Sequence, residues 1–181
     1  MNGLGVDLGT TCGFSWHSDK YHAVEVELIN AAEKRWCSPG LRFIRFRERL
    51  EELVKAHDIE IVYFEKVMRH SSTYASHTYG GLWAMLTTTL DGMGVNYEGI
   101  GVGEAKRAFT GGGTASKQAM LDRAEEIGVP CTGDNAADAL AVLITGEAKH
   151  GIIRVPTPAR PAPTKRLNKV KGRSTGRQRD R

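Results

Sequence analysis

No stretch of the 181 residues approaches the run of about 18 apolar residues that crosses a bilayer. The N-terminus, MNGLGVDLGTT, lacks the basic-then-apolar pattern of a secretory leader. No membrane partner is expected, and the chain is expected to be soluble and cytoplasmic. Cysteine is scarce: Cys12, Cys37 and Cys131 lie far apart, without the paired spacing of a zinc site or a disulfide framework, which suits a reducing compartment. The length excludes two domains that each bury a large core.

The net charge of +4 hides an asymmetry. Residues 151–181 carry ten Lys or Arg against Asp180 alone, a charge of +9, which leaves −5 on the rest. The same segment has four of the six prolines and no aromatic residue, too little apolar surface to offset the entropy of ordering it. Residues 1–150 are therefore expected to form one folded domain, and 151–181 a basic, mostly disordered tail. A basic arm on an acidic domain suits a polyanion such as nucleic acid, although a solubilising extension has the same composition.

Along the domain, Leu4 to Leu8 and Gly13 to Trp16 flank a turn at Gly9, Thr10 and Thr11, and Ala23 to Ile29 alternates apolar residues with Glu25 and Glu27. This predicts three antiparallel strands. After Ser38, Pro39 and Gly40, the positions Leu41, Ile44, Leu50, Leu53 and Val54 recur at helical spacing. Ile59 to Phe64 reads as a buried strand ending at Glu65, followed by a polar loop from Lys66 to Thr78. Gly81 to Leu90 predicts a largely buried helix, which is also a candidate interface, and Val95 to Val102 a strand. A short helical piece at Glu104 to Phe109, a glycine loop at Gly111 to Gly113, a helix from Ser116 to Ile127 and a last helix from Asp134 to about Lys149 complete the order βββαβαβαα. Such an order predicts an α/β fold, a mixed sheet covered by helices.

Three places hold carboxylates where they are expensive. Asp7 sits between Val6 and Leu8, and Glu65 closes an apolar strand. Asp134 and Asp138 are four residues apart, about 40° round a helix axis, so both can point the same way. Singly, each has an ordinary reading: Asp7 as a turn residue, Glu65 as a salt-bridge partner, Asp134 as an N-cap. Together on separate buried elements they repel, and divalent cations are the simplest remedy. Two Mg²⁺ ions about 4 Å apart would activate a water and stabilise the leaving oxygen of a phosphodiester.

Asp7 in LGVDLGTTCGF, Glu65 in IVYFEKV, Lys117 in GTASKQAML and Asp138 in DNAADALAV follow in an order and spacing that resemble the RuvC family of Holliday junction resolvases. The resemblance runs over about residues 3–146. It implies a ribonuclease H-like α/β fold with an antiparallel first three strands followed by parallel ones, flanked by helices. It further implies a homodimer with Mg²⁺, or Mn²⁺ in its place, that nicks two strands of a four-way DNA junction symmetrically. Carried over by motif, Asp7, Glu65 and Asp138 are metal ligands, while Lys106 in GEAKRAF, beside Arg107, and Lys117 hold DNA phosphate near the site. The family's further carboxylate, three residues before the last Asp, is here Asn135, and Asp134 is the candidate to substitute for it. The loop after Glu65, with Lys66 and Arg69, is expected to enter the junction centre, with Met68 or Tyr74 as the wedge. A short chain with a basic extension also looks like a phage-encoded member of the family.

Two other readings compete. GVDLGTT and the GGGT at Gly111 to Thr114 resemble the phosphate loops of actin-like ATPases, but those need two lobes, and this chain supplies one. A non-catalytic DNA-binding module would use the basic tail and keep the acids as structure.

Overall fold

The computed structural model describes residues 1–30, 33, 36, 38–131 and 133–155. Cys37 and residues 156–181, the greater part of the expected tail, lie outside the described residues. The elements are β1 (Gly3–Asp7), β2 (Thr11–His17), β3 (Tyr21–Glu27), α1 (Leu41–Ala56), β4 (Ile61–Lys66), α2 (Thr73–Met93), β5 (Asn96–Gly101), α3 (Val102–Thr110), α4 (Lys117–Glu126) and α5 (Asp134–Lys149).

The strands form one sheet in the order β3-β2-β1-β4-β5. β1 runs antiparallel to β2, and β2 to β3, whereas β1–β4 and β4–β5 are parallel. This is the mixed sheet expected from the sequence. Side chains alternate across it. Leu4, Val6, Phe14, Val62 and Phe64 join the core beneath α1 and α2, while Ile61, Tyr63 and Ile100 join a second core beneath α3, α4 and α5. On β1 the second face carries only Gly3, Gly5 and Asp7. A Cβ on Gly5 would stand 2.3 Å from the carbonyl oxygen of Ala139, so the missing side chain is what lets α5 lie directly on the sheet. Helix α5 answers with small residues, and Ala136, Ala137, Ala139 and Ala141 are all fully buried.

Four expectations need correction. The helical piece after β5 is a nine-residue helix, α3, so the order is βββαβαβααα. Helix α2 starts at Thr73 rather than Gly81, capped by the Ser72 hydroxyl accepting from the Ala75 amide at 3.1 Å. Its first two turns are polar because they face solvent, so the apolar period shows only from Thr78 and Leu82 onward, and Tyr74 belongs to the helix and not to a loop. Ile44 is 44% exposed; the buried stripe of α1 is Phe46, Leu50, Leu53 and Val54. Helix α5 starts at Asp134 as expected, but the N-cap is Gly133, so Asp134 is its first residue and not its cap.

Residues 151–155 fold back on α5. The Ile152 amide donates to the Glu147 carbonyl at 2.9 Å, and Arg154 Nε reaches the buried Glu147 carboxylate at 3.4 Å. No helix among the described residues is long and apolar enough to cross a membrane.

Candidate active site

Alternation along the two central strands decides where the acids go. Val6 pairs with Phe64 in parallel register, so Asp7 and Glu65 follow side by side, both on the face that α5 covers. Helix α5 crosses there and adds Asp138 from its second turn. The chain thus brings three carboxylates from three elements to the carboxyl ends of adjacent parallel strands, where open α/β sheets bind their ligands. Asp7 is 9% exposed and Glu65 8%; Asp138 is half-buried.

The electrostatics follow from that crowding. Burial, then the neighbouring charges of Glu65 and Asp138, raise Asp7 well above the usual carboxylate range. Burial and Asp138 push Glu65 up to about 7, against a smaller opposing pull from Lys106. Burial likewise raises Asp138, with Lys106 and Lys117 opposing. Asp7 and Glu65 are in hydrogen-bonding contact, an arrangement two carboxylates hold by sharing a proton.

Asp134 stands apart from this trio in its chemistry. The Lys117 ammonium, at the start of α4, forms an ion pair with its carboxylate and holds it below the usual range. The hydroxyl of Ser116 caps α4 by accepting from the Ala119 amide at 3.2 Å, which fixes where Lys117 begins. Asn135 turns its carbonyl toward β2, where a Cβ on Gly13 would come within 1.9 Å of it. Lys106 is half-buried on α3, and its field reaches Glu65, Asp134 and Asp138. Its neighbour Arg107 is exposed and donates to its own helix at the Gly103 carbonyl, 3.4 Å away.

The segment after Glu65 divides in two. Lys66, Met68 and Arg69 are exposed, Met68 by 78%. Lys66 and Met68 line a groove of about 290 Å³ with Phe64, Tyr79 and Trp83. Tyr74, in contrast, is tied to α1: its hydroxyl accepts from Arg42 Nη1 at 2.8 Å, and the guanidinium lies 5.7 Å from its ring centre.

Two residues that hold the site have no obvious mark in the sequence. The Tyr79 hydroxyl donates to the Glu65 carbonyl at 3.0 Å and accepts from the Val67 amide at 3.2 Å, clamping the chain on both sides of Lys66. Glu25 Oε1 accepts from the Asn135 amide at 2.7 Å and the Ala136 amide at 3.3 Å. The alternation of Glu25 with Val24 and Val26 puts it on one face of β3; only the topology reveals that α5 starts there.

Among the described residues no three His, Cys, Asp or Glu side chains stand ready-made as a metal cage. The donor set nevertheless fits a hard divalent cation: all oxygen, mutually repelling, with Asp7 and Glu65 buried and Asp138 half-buried. Mg²⁺ sites of this type use one or two carboxylates and are completed by water and substrate phosphate, so an open, partly assembled carboxylate set matches that chemistry. The described residues contain one sheet and no second lobe to close over a nucleotide.

No family model matches the chain. The crossover junction endodeoxyribonuclease RuvC of Synechococcus sp. (strain CC9311) is 32% identical over 118 residues, covering 62% of this chain and 72% of that protein. Among solved structures, Thermus thermophilus RuvC superposes with a TM-score of 0.64 at 22% identity, covering 84% of this chain and 98% of that one. The same enzyme in complex with a Holliday junction substrate gives 0.68 at 21% identity, with 84% and 97% covered. The yeast mitochondrial Holliday junction resolvase Ydc2 gives 0.59 at 13% identity, with 83% and 81% covered. These structures share the fold, and the Synechococcus relative shares enough sequence over enough of its own length to decide the kinship. This chain belongs to the RuvC family of crossover junction endodeoxyribonucleases.

Proposed function

We propose that this chain is a divalent-metal-dependent endonuclease that resolves four-way DNA junctions. Asp7, Glu65 and Asp138 are its metal ligands. The observation that supports this most directly is the meeting of these carboxylates, each from a different element, with their protons held abnormally tightly. A folded chain tolerates such repulsion when a cation offsets it in the working state. Mg²⁺, as two ions or with Mn²⁺ in its place, would supply the Lewis acidity that activates water and stabilises the departing oxygen.

The chain's own residues then divide the work. Asp7 and Glu65 present oxygens from a rigid sheet, and Tyr79 holds the backbone of Glu65 in place. Lys106 and Arg107 offer positive charge at the rim for the scissile strand's phosphates. Lys117 is paired with Asp134 in the free protein. If it turns to a DNA phosphate, Asp134 is released toward the metal, the role its position four residues before Asp138 allows. Lys66 and Arg69 extend the basic rim, and Met68, the most exposed apolar side chain there, is the wedge that enters the junction. Tyr74 flanks this path from α2.

Symmetric nicking of two strands needs two sites, and one chain supplies one; this favours a homodimer. Helix α2 leaves Trp83 47% exposed, with Ala84 and Thr88 exposed on the same helix, a face suited to a second copy. The basic segment after residue 155 adds phosphate contacts along the arms. A DNA substrate and thiols kept apart suit work in a cytoplasm, bacterial or phage-infected.

The test is cleavage of matched four-way, three-way, flap and linear duplex DNAs with Mg²⁺. Selective, paired nicking of the four-way junction supports the reading. Binding without cleavage under any divalent metal would favour the non-catalytic module instead.

A further inference from the structure

Helix α5 begins with a problem of its own making. Its first amides have no partner within the helix, and its N-cap, Gly133, has no side chain to offer. The acceptor comes from more than a hundred residues away: Glu25 Oε1 takes the Asn135 amide at 2.7 Å and the Ala136 amide at 3.3 Å. The fit around this contact is close. A Cβ on Gly133 would stand 2.2 Å from that same oxygen, so Gly is what allows the carboxylate in. Gly13 is the cross-strand partner of Glu25, and a Cβ there would stand 1.9 Å from the Asn135 carbonyl oxygen. The amides of the first turn are therefore gripped by Glu25, while a carbonyl of the same turn is seated on Gly13. A carboxylate at a helix N-terminus is also favoured by the helix dipole.

Asp138 lies one turn beyond this grip. We propose that Glu25 is a positioning residue for strand cleavage: it fixes the start of α5 against β2 and β3 and thereby sets where Asp138 meets Asp7 and Glu65. This inference rests on the endonuclease reading above. Glu25 touches neither substrate nor metal in it. Its influence on the site passes through the backbone of Asn135 and Ala136, with an additional field on Lys117.

The experiment compares Glu25→Ala and Glu25→Gln in the full chain. The Gln carbonyl oxygen can still accept both amides, whereas Ala cannot. The readouts are single-turnover junction cleavage with Mg²⁺, junction affinity without divalent metal, and amide exchange at Asn135 and Ala136. Glu25→Ala should slow cleavage about tenfold or more, since small misplacements of a reacting group are costly. Junction affinity should stay within about twofold, because ground-state binding is untouched. Exchange at the two amides should accelerate, and Glu25→Gln should restore both exchange and rate. Wild-type cleavage by Glu25→Ala would overturn the proposal, as would Glu25→Gln as slow as Ala, or a loss that falls wholly in affinity. If Glu25→Ala fails to fold, Glu25→Asp takes its place: the shorter side chain keeps the charge but draws its oxygen away from the Asn135 and Ala136 amides, so exchange there should accelerate and cleavage slow, and wild-type cleavage by it would overturn the proposal. If the wild-type chain cuts no junction, the endonuclease reading fails, while exchange still tests the grip: unchanged protection in Glu25→Ala sinks it.

Discussion

Removing the charge of Glu65 should stabilise the metal-free protein. Its carboxyl is pushed up to about 7 from an ordinary 4.5, chiefly by burial and by Asp138. The folded state therefore keeps a proton that the unfolded chain has lost. Stability from this group is fully present below pH 4.5 and is lost as pH rises through about 7. The difference corresponds to about 3 kcal/mol by linkage, and Asp7 shifts in the same direction. Glu65→Gln removes the charge and keeps the shape. At pH 8 with EDTA the variant should melt above the wild type by about 6–12 °C, on the scale of a domain this size. The gap should close as pH falls toward 4.5. Adding Mg²⁺ should stabilise the wild type more than the variant. The assay is thermal melting followed by circular dichroism between pH 4.5 and 8.5, with and without metal. A variant less stable than wild type at pH 8, or a gap that does not change with pH, would refute the argument that the carboxylates strain the fold.

Further outcomes follow from the same geometry. Gly5→Ala should cost about 3 kcal/mol or more, on the scale of core overpacking, because its Cβ meets the Ala139 backbone, which no rotamer can move; chemical denaturation measures it. Asp134→Asn should cost activity by orders of magnitude, partly rescued by Mn²⁺, if Asp134 reaches the metal. A silent Asp134→Asn with an inactive Asn135→Ala would assign the ligand to the Asn135 amide oxygen instead. Deleting residues 156–181 should weaken junction binding and flatten its salt dependence by about 0.9 in log–log slope for each phosphate that the segment no longer neutralises; an unchanged slope in a binding titration would show that this segment does not touch DNA.

The fold was legible where side-chain period and punctuation agreed. Ser116 announces α4, and the DNAADALAV run marks α5, because its small residues suit a helix pressed on a sheet. The start of α2 was not legible, since SSTYAS faces solvent and shows no apolar period, although Ser72 caps it. The carboxylates Asp7, Glu65 and Asp138 stood out because each interrupts an apolar run. Which of them meet depends on the parallel register of β1 with β4, a long-range pairing that no local pattern encodes. Tyr79 and Glu25 escaped for the same reason: their partners lie on other elements, and as single residues they resemble an ordinary helix aromatic and an ordinary strand acid.

The most direct test of the central claim pairs binding with cleavage in Asp7→Asn, Glu65→Gln and Asp138→Asn. Each variant should bind a four-way junction with wild-type affinity and fail to nick it in Mg²⁺, while the wild type cuts two opposing strands and stops when EDTA is added. Full cleavage by any one of the three would contradict its assignment, and cleavage by all three would contradict the account.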